Sequence, residues 1–480
     1  MRNSLKHTLL FFTIIIIEGY IVLSTELLAI RQTIPFIGSG TDTISIIIAA
    51  ILMPLAFGYH AGGEFQPKKK NGKILTVRDK LLRNIIMAAL ILLPGLSIQF
   101  LIWFFSEISD LGIKNRLLQT AIYSGLFLVV PVYLLGQTVP LITNYFSKER
   151  LAHITGKIMF FSTLGSFLGA TVSTLVLMAL FGVHHTVTLN FLLMSVLVIL
   201  MSKRLTDKKV LMMMGIFACA LLINANYAMQ KSGIVLNNQY NTVITRQSIN
   251  GDNYLFLNGN YSSMYNPRTH RKYNCIEFVE KIALAPIAKA EPRKDVLVIG
   301  AGGFTFGHND NHNNFTYVDI DKDLKKVAEA KILEEPIGKN KTFIAQPARA
   351  FLRSTDKKYD LIYLDTHLGG LSIPEQLITR EFFMQIKNVM KDKGILVTNF
   401  IASPNFNNTF SRSIDNTFRS VFPHVSRVVI GDEYAVWNDS KKLLANTTYI
   451  YRHEDDYDMG SIYTDDKNTL FLEKPKSTGP

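Results

Sequence analysis

Apolar and polar positions divide the chain into two regimes. Up to about residue 230 there are seven long apolar runs, at 8–30, 43–63, 84–105, 117–140, 157–181, 184–202 and 210–229. A helix needs about 20 residues to cross the ~30 Å hydrocarbon layer. Backbone in lipid must satisfy its own hydrogen bonds, which helices do one segment at a time. The pattern therefore predicts a seven-helix transmembrane domain over residues 1–230. The first run is too long for the apolar part of a signal peptide and no small-residue cleavage site follows it, so it is expected to be retained.

From about residue 234 the apolar runs shorten and alternate with turn residues. Thr242 to Arg246 and Tyr254 to Leu257 read as strands of a hairpin turned at Asn250, Gly251 and Asp252. The stretch CIEFVEKIALAPIA follows with helical spacing. These features define a hairpin and linker-helix subdomain over 231–292. Beyond it, short apolar strands alternate with helices: DVLVIG (295–300), FTYVDID (315–321), TFIAQ (342–346), DLIYLD (360–365) and GILVTNF (394–400). Helices are expected at 322–333, 347–354, 379–391 and 409–421, and VSRVVIG and TTYIYR are expected to close the sheet, with an antiparallel pair. Strands this apolar are covered on both faces, as in a parallel sheet. The predicted fold of residues 293–480 is a doubly wound, mostly parallel Rossmann-like α/β domain.

Composition agrees with this division. At 48% hydrophobic and 19% charged residues, the chain is too apolar for disorder and too charged for a pure membrane bundle. Residues 1–230 hold 19 Lys/Arg against 9 Asp/Glu, whereas residues 231–480 hold 32 against 29. Positive charge between apolar runs reflects membrane topology, so the partner it implies is a lipid bilayer and not a nucleic acid. Sixteen basic residues fall on one side: Arg2, Lys6, Lys68, Lys69, Lys70, Lys73, Arg78, Lys80, Arg83, Lys148, Arg150, Lys157, Lys203, Arg204, Lys208 and Lys209. The other side receives Arg31, Lys114 and Arg116. The chain is therefore expected in the cell membrane with a cytoplasmic N-terminus, and seven crossings put the polar half outside.

Within the apolar half, Glu18 and Glu26 are expected to face other helices or a cavity, and Gly165 and Gly169 of GSFLG to let helices approach closely. His184 and His185 read as interfacial, and Cys219 and Cys275 make neither a disulfide framework nor a metal spacing.

In a doubly wound sheet, ligands bind beyond the carboxyl ends of the strands. Gly300, Ala301, Gly302 and Gly303 follow the first strand, Asp319 and Asp321 the second, Pro347 the third and Asp365 the fourth. Glycines let backbone approach a ligand, and an acid about twenty positions on accepts hydrogen bonds from ribose hydroxyls. Gly300, Gly302, Gly303, Asp319 and Asp321 are thus the candidate nucleoside-binding residues. His308, Asp310 and His312 of FGHNDNHNNF have a spacing seen in metal sites, but Asn and Gly disfavour the helix such a site needs. A loop-like first crossover is expected there, and no metal. Self-association as a homodimer is left open.

A hairpin, LxG at Leu257 to Gly259, an acidic helix, VLVIGAGG, YVDID, ARAFL, YDLIYLD, TREFF and GILVTNF together resemble spermidine synthases over about residues 235–435. With seven preceding spans, the chain is most similar to the integral-membrane branch of spermidine synthase-like proteins. The resemblance implies a class I AdoMet-dependent methyltransferase scaffold. It also implies a sulfonium nucleoside, decarboxylated S-adenosylmethionine or S-adenosylmethionine, as cosubstrate, and a small-molecule amine or polyamine as acceptor. Asp365 matches the family's aspartate after the fourth strand, and Glu277 resembles its acidic helix residue, so both are implied to be catalytic.

The chain departs from the family pattern in four motifs. LNGNYS stands for LDGxxQ, changing an acid and an amide to Asn258 and Ser262. Cys275, Ile276 and Glu277 stand for Tyr-His-Glu, GAGGF for GGGDG, and Pro347 for an aspartate. The expected activity is therefore transfer from a sulfonium nucleoside to an amine other than ordinary putrescine. The alternatives are methyl transfer from AdoMet, or a membrane transport or sensing protein with a non-catalytic nucleoside-binding domain.

Overall fold

The computed structural model of the chain describes residues 2–38, 40–67, 69–70, 73–74, 76–143, 151–366, 374–430 and 445–452. Lys68, Lys148 and Arg150 of the charge pattern, and the end of the family likeness past residue 430, lie outside the described residues.

The apolar half is helical. Helices α1 (Arg2–Ile37) and α2 (Thr41–Gly63) precede α3 (Val77–Gly95) and α4 (Ile98–Asp110). Then come α5 (Arg116–Thr143), α6 (Thr155–Met178) and α7 (Val183–Met201), and α8 (Lys208–Ile223) and α9 (Asn226–Lys231). Among the described residues, α1 from Leu9, α2, α5, α6 and α7 are each long and apolar enough to cross a membrane, and α3 with α4 make a sixth candidate bent by 67°. The expectation of seven uniform spans is corrected at two places. The run at 84–105 breaks after Pro94 and Gly95, where the Tyr123 hydroxyl donates to the Gly95 carbonyl at 2.9 Å. The run at 210–229 divides at Asn224 and Ala225, leaving α8 with 16 residues, a rise of about 24 Å.

Short as it is, α8 still runs the height of the bundle. At its start Lys209 pairs with Asp79 of α3 at 2.8 Å. At its end the Ile223 carbonyl accepts from Gln99 of α4 at 3.2 Å. Helices α1 and α6 touch through backbone: a Cβ on Gly165 would lie 2.2 Å from the Ile16 carbonyl oxygen, and one on Gly169 2.4 Å from that of Tyr20. The GSFLG spacing is thus a packing motif. Glu18 is buried inside the bundle, its Oε1 without a hydrogen-bond partner among the described residues, and Glu26 is half-buried.

The polar half opens with an antiparallel sheet of β1 (Ile234–Asn237), β2 (Thr242–Gln247), β3 (Asn253–Leu257) and β4 (Asn260–Tyr265), in that order. The expected hairpin is its middle pair, with Val243 opposite Leu257. The outer strands are short or polar and carry little strand signal of their own. Helix α10 (Asn274–Val279) leads to β5 (Asp295–Ile299), β6 (Asn314–Asp319), α11 (Leu324–Ala328), β7 (Lys341–Ala345) and α12 (Ala348–Ser354). The chain continues through β8 (Tyr359–Leu364), α13 (Arg380–Asn388), β9 (Met390–Ala402), α14 (Thr409–Arg419), β10 (Val425–Val429) and β11 (Ala445–Tyr451).

These seven strands form one sheet in the order β10-β11-β9-β8-β5-β6-β7. The five from β9 to β7 are parallel, while β11 runs antiparallel to both β9 and β10. Alternation along each strand feeds two cores. Leu297, Ile299 and Ile362 pack with Phe351, Phe382, Phe383 and Phe418 on one face. Val296, Val298 and Leu361 pack with Ile276, Val279, Leu324 and Ile332 on the other. The mostly parallel Rossmann-like sheet read from the sequence is the observed one.

The two halves meet at the end of the bundle away from Lys209 and Asp79. A Cβ on Gly259, in the β3–β4 turn, would lie 3.0 Å from the Pro35 carbonyl oxygen of α1, and one on Gly182 2.9 Å from that of Asn237.

Candidate active site

Strand order reverses between β5 and β8, and a crevice forms where such a sheet changes direction. Register brings the carboxyl ends together there: Ile299 pairs with Leu364 on one side and Val318 on the other, and Asp319 with Ala345. Gly300, Asp319 and Asp365 therefore stand along one edge of the sheet, each one residue beyond a paired position or at it.

Gly300 has φ +88°, and a Cβ there would fall 2.1 Å from the Asp365 carbonyl oxygen. Only glycine lets β5 turn this close to β8. Gly302, at φ +50°, faces the Ser262 and Ser263 hydroxyls at about 3 Å from its Cβ position. Three of the loop's amides are already engaged within the protein. Gly300 N–H donates to the Val318 carbonyl at 3.0 Å, Ala301 N–H to Asp319 Oδ2 at 3.0 Å, and Gly303 N–H to Ser263 Oγ at 3.0 Å. The Gly300 and Gly303 amides are thus not free donors, and Ser263 on β4 clamps the loop.

Asp319 is half-buried. Its Oδ2 receives the Ala301 N–H and its Oδ1 the Asp321 N–H at 3.1 Å. Burial raises this carboxyl from its ordinary value to about 6, against the pull of those N–H donors. Beside it the apolar side chain of Ile320 is exposed. Asp321 corrects the sequence reading. It is fully buried, and both its oxygens are taken, Oδ1 by Asn238 Nδ2 and Oδ2 by Asn241 Nδ2, each at 2.8 Å. It supports Asp319 from behind and does not face a ligand.

Asp365 receives a hydrogen bond on Oδ2 from the Tyr363 hydroxyl at 2.9 Å. Tyr363 in turn packs on Phe306, ring centroids 4.6 Å apart. Burial, and then the charge of Asp365, push the Cys275 thiol well up, so this cysteine stays protonated beside the carboxylate. Glu277 is not part of this group. It is exposed, and its Oε1 accepts the Lys272 N–H at 2.8 Å, fastening the entry to α10. Cys275, on the same helix, is the residue that feels the Asp365 charge.

The departures from the family pattern have structural roles. Asn258 is buried at φ +49°, with Oδ1 accepting the Thr242 N–H and Nδ2 donating to Asn241, both at 2.9 Å. Pro347 immediately precedes α12 with φ −57°, a conformation its ring enforces. The segment 301–313 is a loop, as its Asn and Gly content foretold. In it His308 meets Glu335 at 2.8 Å and His312 meets the Ala290 carbonyl at 2.9 Å, so the two histidines serve different neighbours. Among the described residues no group of three His, Cys, Asp or Glu side chains is arranged to hold a metal.

Ser263, Asn238, Asn241 and Tyr363 were not singled out from the sequence. Tyr363 was within reach, because a residue two before Asp365 at a strand end points the same way. The asparagines carry no such signal.

Residues 277–431 match the family model of the Spermine/spermidine synthase domain. Over 162 residues the chain is 33% identical to an N-terminal histidine N-methyltransferase of Emericella nidulans, covering 32% of this chain and 28% of that one. Over 136 residues it is 30% identical to a polyamine aminopropyltransferase of Vibrio vulnificus, covering 26% of this chain and 43% of that one. The solved structure of a probable spermidine synthase from Corynebacterium glutamicum is similar over 49% of this chain and 82% of its own, at 17% identity and a TM-score of 0.37. The chain spans less than half the length of these two curated relatives. Both are named as transferases, and the α/β domain here is spermidine synthase-like.

Proposed function

We propose that this protein is a membrane-bound transferase that moves an aminopropyl or methyl group from a sulfonium nucleoside to an amine or polyamine other than ordinary putrescine. The observation that carries the reading is the convergence of the Gly300 turn, Asp319 and Asp365 on the edge where strand order reverses. The donor, decarboxylated S-adenosylmethionine or S-adenosylmethionine, supplies a carbon made electrophilic by its positively charged sulfur. Asp319, ionised, accepts hydrogen bonds from the ribose hydroxyls, with Ile320 as an apolar wall beside it. The turn at Gly300 and Gly302 admits the nucleoside close to backbone. Asp365, held by Tyr363, accepts the proton that the amine loses as its lone pair attacks, and its negative charge favours a cation nearby. Cys275 and Phe306 make the wall next to it compact and apolar, in keeping with an acceptor unlike putrescine. Glu277 is left outside the chemistry in this reading.

The helices that are long and apolar enough to span a bilayer serve, in this proposal, as a multi-pass anchor in the cell membrane. Basic residues gather at the end bearing Arg78, Lys80, Lys203, Arg204, Lys208 and Lys209, which supports a cytoplasmic reading of that end and of the N-terminus. The α/β domain, seated on the other end, then lies outside.

Purified full-length protein supplied with decarboxylated S-adenosylmethionine and a panel of amines is expected to release methylthioadenosine. With S-adenosylmethionine, release of adenosylhomocysteine instead identifies methyl transfer, the reading favoured by the fungal N-methyltransferase relative. Absence of both products with every amine overturns the proposal.

A further inference from the structure

The guanidinium of Arg31, near the end of α1, is buried at 5% exposure with no carboxylate in contact among the described residues, an arrangement that costs stability unless oxygens replace water around it. Three oxygens do so for Nε and Nη2, all from the first turn of the polar half, while Nη1 has no partner among the described residues. Nε donates to the Asn238 carbonyl at 2.7 Å, and Nη2 to Asn237 Oδ1 at 3.4 Å and Thr242 Oγ1 at 3.3 Å. Asn238 has two ends in this arrangement. Its carbonyl takes the arginine, and its side-chain amide donates to Asp321 Oδ1 at 2.8 Å. Its own Oδ1 accepts the N–H groups of Tyr240 and Asn241 at 2.9 Å, which locks the turn and aims Asn241 at Asp321 Oδ2. The Asp321 N–H in turn holds Asp319 Oδ1 at 3.1 Å. A continuous buried path thus runs from the apolar helix to the carboxylate expected to hold ribose.

We infer that Arg31 is a positioning residue for the nucleoside site: seating of the turn at Asn237 to Thr242 on the end of α1 orients Asp321, and through its backbone Asp319. The helical half is then part of the binding machinery and not only an anchor. The proposal rests on Asp319 binding a nucleoside, as set out above. Networks of this kind act cooperatively, so a break at either end is felt at the other.

The test uses full-length protein in detergent or nanodiscs, with methylthioadenosine and S-adenosylhomocysteine as probes in titration calorimetry, and amide hydrogen exchange of ligand-free protein read at 299–303 and 319–323. Arg31→Gln is expected to weaken probe binding by roughly 2- to 30-fold and to speed exchange in both segments, with Arg31→Lys restoring part of each. Asn238→Ala, which keeps the carbonyl that Arg31 uses, is expected to give a similar loss. Combining it with Arg31→Gln should add little, because both cut one path. Unchanged affinity and unchanged exchange at 299–303 in Arg31→Gln, whatever its melting temperature, overturn the inference while wild-type binding leaves the proposed function standing. If the wild type binds neither probe, the nucleoside reading fails. Exchange then decides the coupling alone: faster exchange at 299–303 in Arg31→Gln upholds it, and unchanged exchange overturns it.

Discussion

In the proposed function, environment divides the chemistry between Asp319 and Asp365. Burial holds Asp319 at about 6, above its unfolded value near 4. The folded state therefore binds more protons than the unfolded one between those values, and this residue's contribution to stability falls as pH rises through about 6. Ligand binding runs the opposite way, because ribose hydroxyls donate to the ionised carboxylate. Affinity for methylthioadenosine is expected to drop up to tenfold per pH unit below about 6. Asp319→Asn should bind weakly with a flat profile, and calorimetry across pH 5–8 checks both. In the proposed function Asp365 acts on the acceptor amine, so Asp365→Asn is expected to retain nucleoside binding while turnover falls by about 10²–10⁴. A variant that kept its rate would remove Asp365 from the mechanism. The glycine turn depends on a third residue, Ser263. Ser263→Ala leaves the Gly303 N–H without its partner and should cost about 1 kcal/mol in chemical denaturation.

Among elements, the α1–α6 pair and the β5–β8 pair both rest on missing side chains. Gly165 and Gly169 lie against the Ile16 and Tyr20 carbonyls, and no rotamer of a larger residue avoids backbone at those distances. Gly165→Leu is expected to separate α1 from α6 at a cost of at least about 1–3 kcal/mol, seen as a lower melting temperature in detergent. Gly156, with nothing near its Cβ position, is the matched control, and Gly156→Ala should leave the melt unchanged. Elements with a strong periodic signal were legible before any coordinates: the five parallel strands, the helices between them and the middle pair of the small sheet. Strands β1 and β4 were not, since IVLN is too short and NYSSMY too polar to announce itself. The break between α3 and α4 was signposted by Pro94 and Gly95, but the hydropathy of the run as a whole concealed it.

For the whole molecule, the proposed multi-pass anchor sets the side of the membrane on which the crevice would open, through the count of crossings and the seat of the α/β domain. Helix α8 is too short by length alone, yet its ends are tied to opposite ends of the bundle by Lys209 with Asp79 and by Ile223 with Gln99. A C-terminal alkaline-phosphatase fusion is therefore expected to be active and a fluorescent-protein fusion dark. The reverse result would put the domain in the cytoplasm and remove α8 from the crossings. An outside crevice also requires that the donor be supplied there, so activity in intact cells should respond to added donor.

Sequence alone determined what depends on local periodicity and composition. Apolar runs of membrane length, the alternation of short strands with helices, and the glycines and acids at successive strand ends all follow from neighbours in the chain. Tertiary structure decided which of those residues face one another. Asp319 and Asp321 are two apart and equivalent on paper, but the amides of Asn238 and Asn241 close around one of them and leave the other at the crevice. Arg31 counted as one more loop charge until helix α1 proved to extend past it and bury it against a turn more than two hundred residues away. Contacts between residues so distant in sequence have no periodic trace, because they are set by how elements dock and not by how each one forms.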